Sequence, residues 1–321
     1  MRLSAIYKPV EEDLVRVNEE LSEVSKVEFP WLAELLDYSL KSGGKIIRPA
    51  LTLLSGKLCH YNPDILLPMA TATEVLHVAT LVHDDAIDKS PVRRGRPTVY
   101  EVWGEDKAVL LGDYLFAKAG EFTAATQNLR VIKLFAETLR IISTGELDQI
   151  FKAFNLKQTY EQYIQRISRK TAALFILATE SGTALSEAPE ASIKIMNEYG
   201  YNLGIAFQIV DDILDFISTE ENIGKPVGSD LAQGTLTLPS MLLLERYPRD
   251  NPVKRLFQNR DSQDDIKLAI EQVRNSSIIE ECYTVASDYC TKACRDLNQL
   301  PDNASRQSLI DLADYIIRRK K

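Results

Sequence analysis

The chain has 321 residues, of which 45% are hydrophobic and 26% are charged, and its formal net charge is −8. This acidic balance argues against a nucleic-acid partner, because proteins that bind nucleic acids carry clustered excess positive charge. No stretch reaches the roughly 18 uncharged apolar residues of a transmembrane helix, and the N-terminal residues lack the apolar core of a signal peptide. The four cysteines match neither a disulfide framework nor zinc spacing. We therefore expect a cytoplasmic protein with no transmembrane segment.

Helical periodicity runs along the whole chain, and no alternating run is long enough to predict a sheet. Low Gly and Pro content, with abundant Leu, Ala, Ile and Glu, also favours helix. Because no linker or low-complexity segment divides the chain, we predict a single all-α domain over residues 1–321 with about a dozen helices. The predicted helices are 9–24, 30–41, 45–60, 63–88, 105–126, 129–153, 159–183, 189–217, 235–246, 263–272, 276–298 and 303–319.

Two aspartate clusters with the pattern Asp-Asp-x-x-Asp lie within apolar helical segments. Positions four apart on a helix share a face, so Asp84 points the same way as Asp88. Like charges at this spacing destabilise a helix, and their burial is costly unless cations are present. A solvated acidic face is the alternative, but two such clusters favour a site for a hard divalent cation, Mg²⁺ in particular. The predicted metal ligands are Asp84, Asp85, Asp88, Asp211, Asp212 and Asp215.

Basic residues are concentrated on both sides of the first aspartate cluster. A glycine pair ending at Gly44 lets the backbone approach an anion, and Lys45 and Arg48 follow it. The predicted helix 45–60 starts here, so these two cations, three positions apart, share one helical face. Arg93 and Arg94 come after the cluster and can each grip a different anion, because neighbouring guanidiniums fork in different directions. We interpret both segments as diphosphate sites, with solvated surface charge as the alternative.

The remaining polar candidates lie on apolar helices or in one loop. His77 lies two turns before Asp84 on nearly the same face, although a lone helical histidine is more often a core residue. Gln208 shares the face of the second aspartate cluster. The other candidates are Glu146, Lys170, Thr171 and Lys225. Acidic clusters that bind Mg²⁺, separate basic clusters and apolar helices between them together suggest chemistry on isoprenoid diphosphates.

With these residues the chain resembles the trans-isoprenyl diphosphate synthase family, of the polyprenyl synthetase kind, from about residue 30 to about residue 240. The motifs occur in the family's order and spacing. They are Gly43-Gly44-Lys45 with Arg48-Pro49, the first aspartate cluster with Arg93-Arg94-Gly95, Gly112-Asp113-Tyr114-Leu115, Gly145-Glu146, Lys170-Thr171, and Phe207-Gln208 before the second cluster. One departure is Thr235, which stands where many members carry lysine, so one cation on the diphosphate side is absent or supplied elsewhere.

The resemblance implies an isoprenoid synthase fold around a central apolar cavity, a homodimer, and about three Mg²⁺ ions. It assigns metal binding to the six aspartates and catalysis to the same aspartates and Lys170. The allylic diphosphate is assigned to Arg93, Lys170 and Lys225. Isopentenyl diphosphate is assigned to Gly44, Lys45, Arg48, His77 and Arg94, and Thr171 and Gln208 complete the polar lining.

The resemblance also implies a head-to-tail condensation. The allylic diphosphate ionises, the double bond of isopentenyl diphosphate attacks the cation, and a proton is lost to the departing diphosphate. Each helical turn spans about 5.4 Å, close to the reach of one isoprene unit. Ala79 and Thr80 are small at a position where short-chain members often carry a bulky aromatic residue. We therefore expect an open tunnel, a product longer than about twenty carbons, Phe135 as its floor, and peripheral membrane contact for product release.

Several alternatives remain open at this point. A farnesyl or geranylgeranyl diphosphate synthase would share every motif and differ in product length. A terpene cyclase normally spreads its second metal motif over three turns, unlike the cluster at Asp211. A metal phosphohydrolase could use His60 and His83 but would need further histidines, and the chain has three. A non-catalytic subunit of a heteromeric prenyl synthase usually lacks metal aspartates, whereas this chain keeps all six; a co-dependent catalytic subunit is a further possibility.

Overall fold

The computed structural model describes residues 2–41, 43–219, 227–260 and 262–319, and these ranges fold almost entirely into helices. The all-α prediction is confirmed. The helices are α1 Leu3–Ile6, α2 Glu11–Val24, α3 Pro30–Leu40, α4 Ile47–Gly56, α5 Pro63–Ile87, α6 Val99–Trp103, α7 Glu105–Ala125, α8 Leu129–Phe151, α9 Tyr160–Ile167, α10 Ala173–Leu185, α11 Glu190–Ile217, α12 Ser229–Ala232, α13 Leu238–Arg246, α14 Pro252–Gln258, α15 Gln263–Arg274, α16 Ile278–Cys294 and α17 Ala304–Arg318. Short 3₁₀ turns occur at Lys8–Val10 and Leu297–Gln299.

Helix α5 carries the first aspartate cluster at its C-terminal end, and local sequence sets both of its ends. The Asn62 side chain accepts a hydrogen bond from the Asp64 backbone N–H, and Pro63 occupies the first helical position, where its missing N–H costs nothing. The helix stops at Ile87, shortly before Pro91, whose ring disfavours helical conformation in the preceding residue. The predicted bounds 63–88 therefore agree with the structure.

Helix α4 starts two residues later than predicted, at Ile47. Ile46 has φ 48° and ψ 40°, the left-handed conformation, which a helix cannot continue through. Lys45 consequently lies in the loop, where its carbonyl accepts a hydrogen bond of 2.8 Å from the Tyr7 hydroxyl. The prediction that Lys45 and Arg48 share a helical face was wrong for this reason.

The predicted helix 159–183 is interrupted by a π-helical turn at Ser168–Ala172, which joins α9 to α10. Such a turn inserts an extra residue and redirects the side chains on it, and it occurs often at functional sites. This turn carries Lys170 and Thr171. Periodicity alone does not distinguish it from α-helix, so the sequence predicted one continuous element.

A two-stranded antiparallel ribbon follows the first aspartate cluster, with strands β1 Val92–Arg93 and β2 Arg96–Pro97. Its turn residues Arg94 and Gly95 both have positive φ, 52° and 74°, as a tight hairpin turn of this kind requires. We predicted no sheet here, because two-residue strands are too short to show alternation. The ribbon follows the first aspartate cluster and places Arg93 against Asp85.

The two aspartate-bearing helices are central in the described part of the chain. Helix α5 packs against α7 and α4, whereas α11 packs against α10 and α16. The buried apolar side chains form one continuous cluster. Among the described helices, α5 alone is long and apolar enough to cross a membrane, but 67% of its most apolar window is buried inside the protein. Such burial is what a core helix shows, so this is weak evidence for a membrane span.

Helices α4 and α10 cross in close contact at Gly182, where an added Cβ would lie 2.2 Å from the Thr52 carbonyl oxygen. We expect Gly182→Ala to lower the free energy of unfolding by about 1–3 kcal/mol, because the methyl group forces the two helices apart. Chemical denaturation would measure the change.

The matched control is Gly120→Ala on α7. The nearest atom to its added Cβ is Phe135 Cε1 at 3.9 Å, an ordinary contact. Alanine also favours helix over glycine by about 1 kcal/mol. This variant should be neutral or stabilising, and an equal loss in both variants would contradict the close crossing at Gly182.

Candidate active site

The C-terminal ends of α5 and α11 bring the two aspartate clusters to one cleft, and the π-helical turn bridges them. Lys170 Nζ lies 3.7 Å from Asp84 Oδ2 in the first cluster. Thr171 Oγ1 donates to Gln208 Oε1 at 2.5 Å, and Gln208 Nε2 donates to Asp212 Oδ1 at 2.8 Å in the second cluster. Two adjacent residues therefore connect clusters that are 127 positions apart in the sequence.

Lys170 is held as a cation between two carboxylates. Its ammonium donates to Glu146 Oε2 on α8 at 2.8 Å, besides its contact with Asp84. Burial by itself lowers the pKa of Lys170, but Asp84 and Glu146 outweigh that effect and raise the pKa above its ordinary value. Glu146 thus fixes the position of the lysine, and Lys170 brings positive charge to the cleft at every physiological pH.

The six aspartates fall into two groups by exposure. Asp84, Asp88 and Asp211 are partly exposed to the cleft, whereas Asp85, Asp212 and Asp215 are buried. Asp85 Oδ1 accepts a hydrogen bond of 2.8 Å from Arg93 Nε.

The two buried aspartates of the second cluster also have protein donors. Asp212 Oδ2 accepts a hydrogen bond of 2.7 Å from the Tyr163 hydroxyl. Asp215 accepts from the Ser229 hydroxyl and the Asp230 N–H, both at 3.3 Å. Asp212 and Asp215, the second and third aspartates of this cluster, therefore already accept hydrogen bonds from within the protein.

Burial raises the pKa of Asp85, Asp88 and Asp212, in the last case to about 7. Carboxylates crowded in this way favour the neutral form until a cation compensates them. In the described ranges no three His, Cys, Asp or Glu side chains form a ready-made metal-ligand group. Mg²⁺ needs none, since it commonly binds one or two carboxylates and takes waters and substrate phosphates as its other ligands. The donor set fits Mg²⁺ held together with a diphosphate.

A second, basic half of the site lies between α5 and the loop before α4. A cavity of about 260 Å³ is lined there by Gly44, Glu74, His77 and Arg94, among others. Arg94 donates to the Gly43 carbonyl, and an added Cβ at Gly44 would lie 3.2 Å from the Arg94 guanidinium. Glycine at this position therefore lets the arginine lie directly over the loop.

Burial lowers the pKa of Arg48 to about 10 and also that of Arg94, while Glu74 opposes both shifts. The negative charge of Asp211, like that of Glu74, acts to raise the pKa of both arginines. The charge of the second aspartate cluster therefore reaches the basic half. Burial also lowers the pKa of His77 well below its ordinary range, and the neighbouring arginines add to this. His77 is consequently a neutral hydrogen-bonding group and not a cation.

Three residues of the site were not predicted from the sequence: Glu74, Tyr163 and Arg319. Glu74 lies three positions before His77, so its helical spacing could have shown that both face the same cavity. Tyr163 and Arg319 have no local signal, because each meets the second cluster across a long separation in the chain. Lys225, a predicted ligand of the allylic diphosphate, lies outside the described residues.

The His83 ring is turned away from the aspartates toward α7. Its Nε2 lies 2.9 Å from the Val109 carbonyl oxygen and 3.6 Å from Asp113 Oδ1. Gly112 leaves the space for the ring, since an added Cβ there would lie 2.0 Å from it. A histidine–aspartate metal centre of the phosphohydrolase kind gains no support from this arrangement.

The three residues predicted to control product length have different surroundings. Thr80 is half-buried on the face of α5 that carries Asp84, and its hydroxyl donates to the His77 carbonyl at 2.7 Å. Ala79 is completely buried. Phe135 is buried on α8 beside Gly120 of α7. Among them Thr80 is the residue whose helical position faces the cleft most directly.

The raised pKa of Asp212 predicts a pH dependence of stability in the metal-free protein. The folded state binds this proton with a pKa of about 7 and the unfolded chain with an ordinary carboxyl pKa. Stability should therefore fall as pH rises between about 4 and 7, because unfolding releases a proton in that window. Asp212→Asn should flatten the dependence and raise stability at pH 8 by on the order of 1–3 kcal/mol.

Urea unfolding in the presence of a chelator, at several pH values, would measure this. Asp314→Asn is the control, because that side chain is 72% exposed and should leave the slope unchanged. A wild-type slope in Asp212→Asn would contradict the assignment.

Comparisons with known proteins identify the family and the fold. The polyprenyl synthetase family model matches residues 29–273. Heptaprenyl diphosphate synthase component 2 of Geobacillus stearothermophilus is 38% identical over 322 residues, covering 99% of this chain and 99% of that protein.

Two solved structures are also similar. The polyprenyl synthase of Caulobacter crescentus, complexed with calcium and isoprenyl diphosphate, superposes with a TM-score of 0.95 at 31% identity, covering 100% of this chain and 98% of that one. The heptaprenyl diphosphate synthase of Staphylococcus aureus has a TM-score of 0.92 at 35% identity and covers 97% of this chain and 99% of that one. The chain belongs to the polyprenyl synthetase family, and it is a prenyltransferase of isoprenoid biosynthesis.

Proposed function

We propose that this chain condenses isopentenyl diphosphate head to tail with an allylic diphosphate, and that its product is longer than about twenty carbons. One observation carries the proposal: Lys170 and Thr171 link the acidic half at the ends of α5 and α11, and a basic half around Arg48 and Arg94 lies near enough to feel the charge of Asp211. The acidic half suits a diphosphate that arrives with metal ions. The basic half suits a diphosphate that binds without them.

In the acidic half, the carboxylates that open to the cleft would hold Mg²⁺: Asp84, Asp88 and Asp211. About three ions would bind there, by resemblance to the family. Bound Mg²⁺ would neutralise the leaving diphosphate. Lys170, fixed by Glu146 and next to Asp84, adds a cation on the same side. Asp85 accepts a hydrogen bond from Arg93, and Asp212 accepts one from Tyr163. These two carboxylates would therefore hold their neighbours in place and need not bind the ions themselves.

In the basic half, Arg48 and Arg94 would grip the diphosphate of isopentenyl diphosphate, and neutral His77 would donate or accept one hydrogen bond. The carbon–oxygen bond of the allylic diphosphate breaks, and the double bond held opposite it forms the new carbon–carbon bond. A proton then leaves the product for the departing diphosphate. Because the departing diphosphate takes the proton, the reaction needs no side-chain base.

The product-length proposal rests on the small residues at positions 79 and 80 and on the heptaprenyl diphosphate synthases among the relatives. The test is a direct assay. Purified protein is incubated with Mg²⁺, labelled isopentenyl diphosphate and each allylic primer, and the dephosphorylated products are sized by chromatography. Products of fifteen or twenty carbons would identify a farnesyl or geranylgeranyl diphosphate synthase instead, and the absence of any condensation product would refute the assignment.

A homodimer fits the large apolar side chains exposed on neighbouring helices α6, α7 and α8. These are Val102, Val109, Leu110, Leu129, Leu147, Ile150 and Phe151. The Geobacillus relative is named as component 2, which favours a second candidate, a catalytic subunit that depends on a partner. Size-exclusion chromatography with the same assay separates them: an active dimer of this chain alone excludes partner dependence. The cytoplasmic location and a membrane contact for product release stay predictions.

Arg48→Ala tests the assignment of the basic half. One charge-assisted contact to a diphosphate contributes about 1.5–3 kcal/mol, so the KM for isopentenyl diphosphate should rise roughly 10–100-fold. The KM for the allylic substrate should change little. Arg96→Ala is the matched control, because the Arg96 guanidinium packs on the Tyr38 ring, 4.7 Å from its centroid. An effect confined to the allylic substrate would show that the two sites are reversed.

Thr80→Phe tests the path of the growing chain. The new ring would lie one turn from Asp84 on the same face, so elongation should stop early, at roughly fifteen to twenty carbons. Ala79→Phe should act in the same direction but with a loss of stability of about 1–3 kcal/mol, because Ala79 is completely buried. Thr80→Ser is the control and should keep the wild-type length distribution. Unchanged products in Thr80→Phe, at a comparable rate, would place the chain elsewhere.

A further inference from the structure

Arg319, the residue after the last helix, lies against the second aspartate cluster. Its side chain is 4% exposed. One guanidinium nitrogen, Nη2, donates to the Phe207 carbonyl oxygen at 2.6 Å and to Asp211 Oδ1 at 2.7 Å. The guanidinium carbon lies 3.8 Å from the centroid of the Phe207 ring. A cation from the C-terminal end of the described chain is therefore fixed on a carboxylate of the active site.

The fold places Arg319 there through helix α17. The Tyr199 hydroxyl of α11 donates to the Leu309 carbonyl at 2.7 Å, and Cys290 Sγ of α16 lies 3.5 Å from the Ala313 carbonyl oxygen. Tyr315, one turn before Arg319, lies with its ring 5.8 Å from Lys45 Nζ. Because α17 is docked on both neighbouring helices, the arginine is already ordered before any ligand binds, and its contact with Asp211 costs little further entropy.

The contact uses one carboxylate oxygen of Asp211 and leaves the other for a ligand. The Asp211 side chain is 41% exposed, and among the described residues Arg319 donates to its Oδ1. A carboxylate held at one oxygen by a fixed donor keeps the other oxygen in one direction. We propose that Arg319 is a positioning residue that orients Asp211 for the divalent cation. This inference rests on the proposed function.

The requirement should be for arginine and not for positive charge alone. The planar guanidinium stacks on the Phe207 ring while its Nη2 donates to two oxygens. An ammonium group can donate to two oxygens, but it has no planar face to stack on the ring. Phe207 in turn packs against Phe175 with ring centroids 5.1 Å apart, and the Arg48 guanidinium lies 5.2 Å from the Phe175 ring. The stack thus runs from the acidic half of the cleft to the basic half, with one arginine at each end.

The test measures metal binding directly. Mn²⁺ binding to the full chain, in the presence of inorganic diphosphate, is followed by electron paramagnetic resonance for wild type, Arg319→Gln and Arg319→Lys. Loss of the partner that orients a metal ligand lowers metal affinity about 10–100-fold, so the Kd should rise at least about tenfold in both variants. Arg318→Ala is the matched control: that side chain is 75% exposed, 4.0 Å from Asp314, and its loss should change the Kd less than about twofold.

Circular dichroism in the absence of metal shows whether each variant is folded. If Arg319→Gln does not fold, the inference is tested with Arg319→Lys and Phe207→Leu. Phe207→Leu keeps the arginine and removes only the ring on which it stacks. Wild-type Mn²⁺ affinity in the folded Arg319 variants, or an equal loss in Arg318→Ala, would overturn the inference. The wild-type product assay is run in parallel. A wild type that makes no product refutes the proposed function, whereas an active wild type with unaffected Arg319 variants refutes the positioning role alone.

Discussion

Carboxylates are crowded at the C-terminal ends of α5 and α11, and the rest of the site is arranged around that repulsion. The end of a helix where carbonyl groups point outward carries partial negative charge, so aspartates there are unfavourable even before they repel one another. The first cluster lies on the last turn of α5, and the second lies on the last two turns of α11. Burial of Asp85, Asp212 and Asp215 adds a desolvation cost.

Cations and donors from other elements offset this cost, and each arrives from a different part of the fold. Arg93 comes from the two-stranded ribbon, Lys170 from the π-helical turn and Arg319 from the end of α17. They do not offset the cost of burial completely, because burial still raises the pKa of Asp88 and that of Asp212. The metal-free protein is thus less stable than its fold would allow, a common consequence of holding a binding site ready for its ligand.

Irregular backbone lies at or next to several basic residues of the site. The left-handed Ile46 ends the loop that carries Lys45, the left-handed Arg94 forms the ribbon turn, and the π-helical turn redirects Lys170 and Thr171. Sparsely populated conformations persist only where surrounding packing determines them, and they concentrate at functional sites. Here they let positively charged side chains leave the regular faces of helices and converge on the cleft, while the long helices behind them stay regular and well packed.

The sequence by itself determined what depends on short-range spacing. Helical periodicity predicted the long helices to within a few residues, because apolar faces repeat every three to four positions. The two aspartate clusters, and the glycines and arginines that carry the family resemblance, were readable for the same reason. Two features escaped this short-range spacing. The left-handed residue Ile46 places Lys45 outside the helix, and the extra residue of the π-helical turn divides the predicted helix 159–183.

Only the tertiary structure decided which of these charged groups meet. Nothing local distinguishes Asp212, bonded to Tyr163, from Asp211, which opens to the cleft. Glu74 lies among arginines contributed by other segments of the chain. Arg319 meets Asp211 across 108 positions. Contacts of this kind follow from how α5, α11 and α17 pack against their neighbours, and packing depends on the whole core at once, so no window of sequence contains the information.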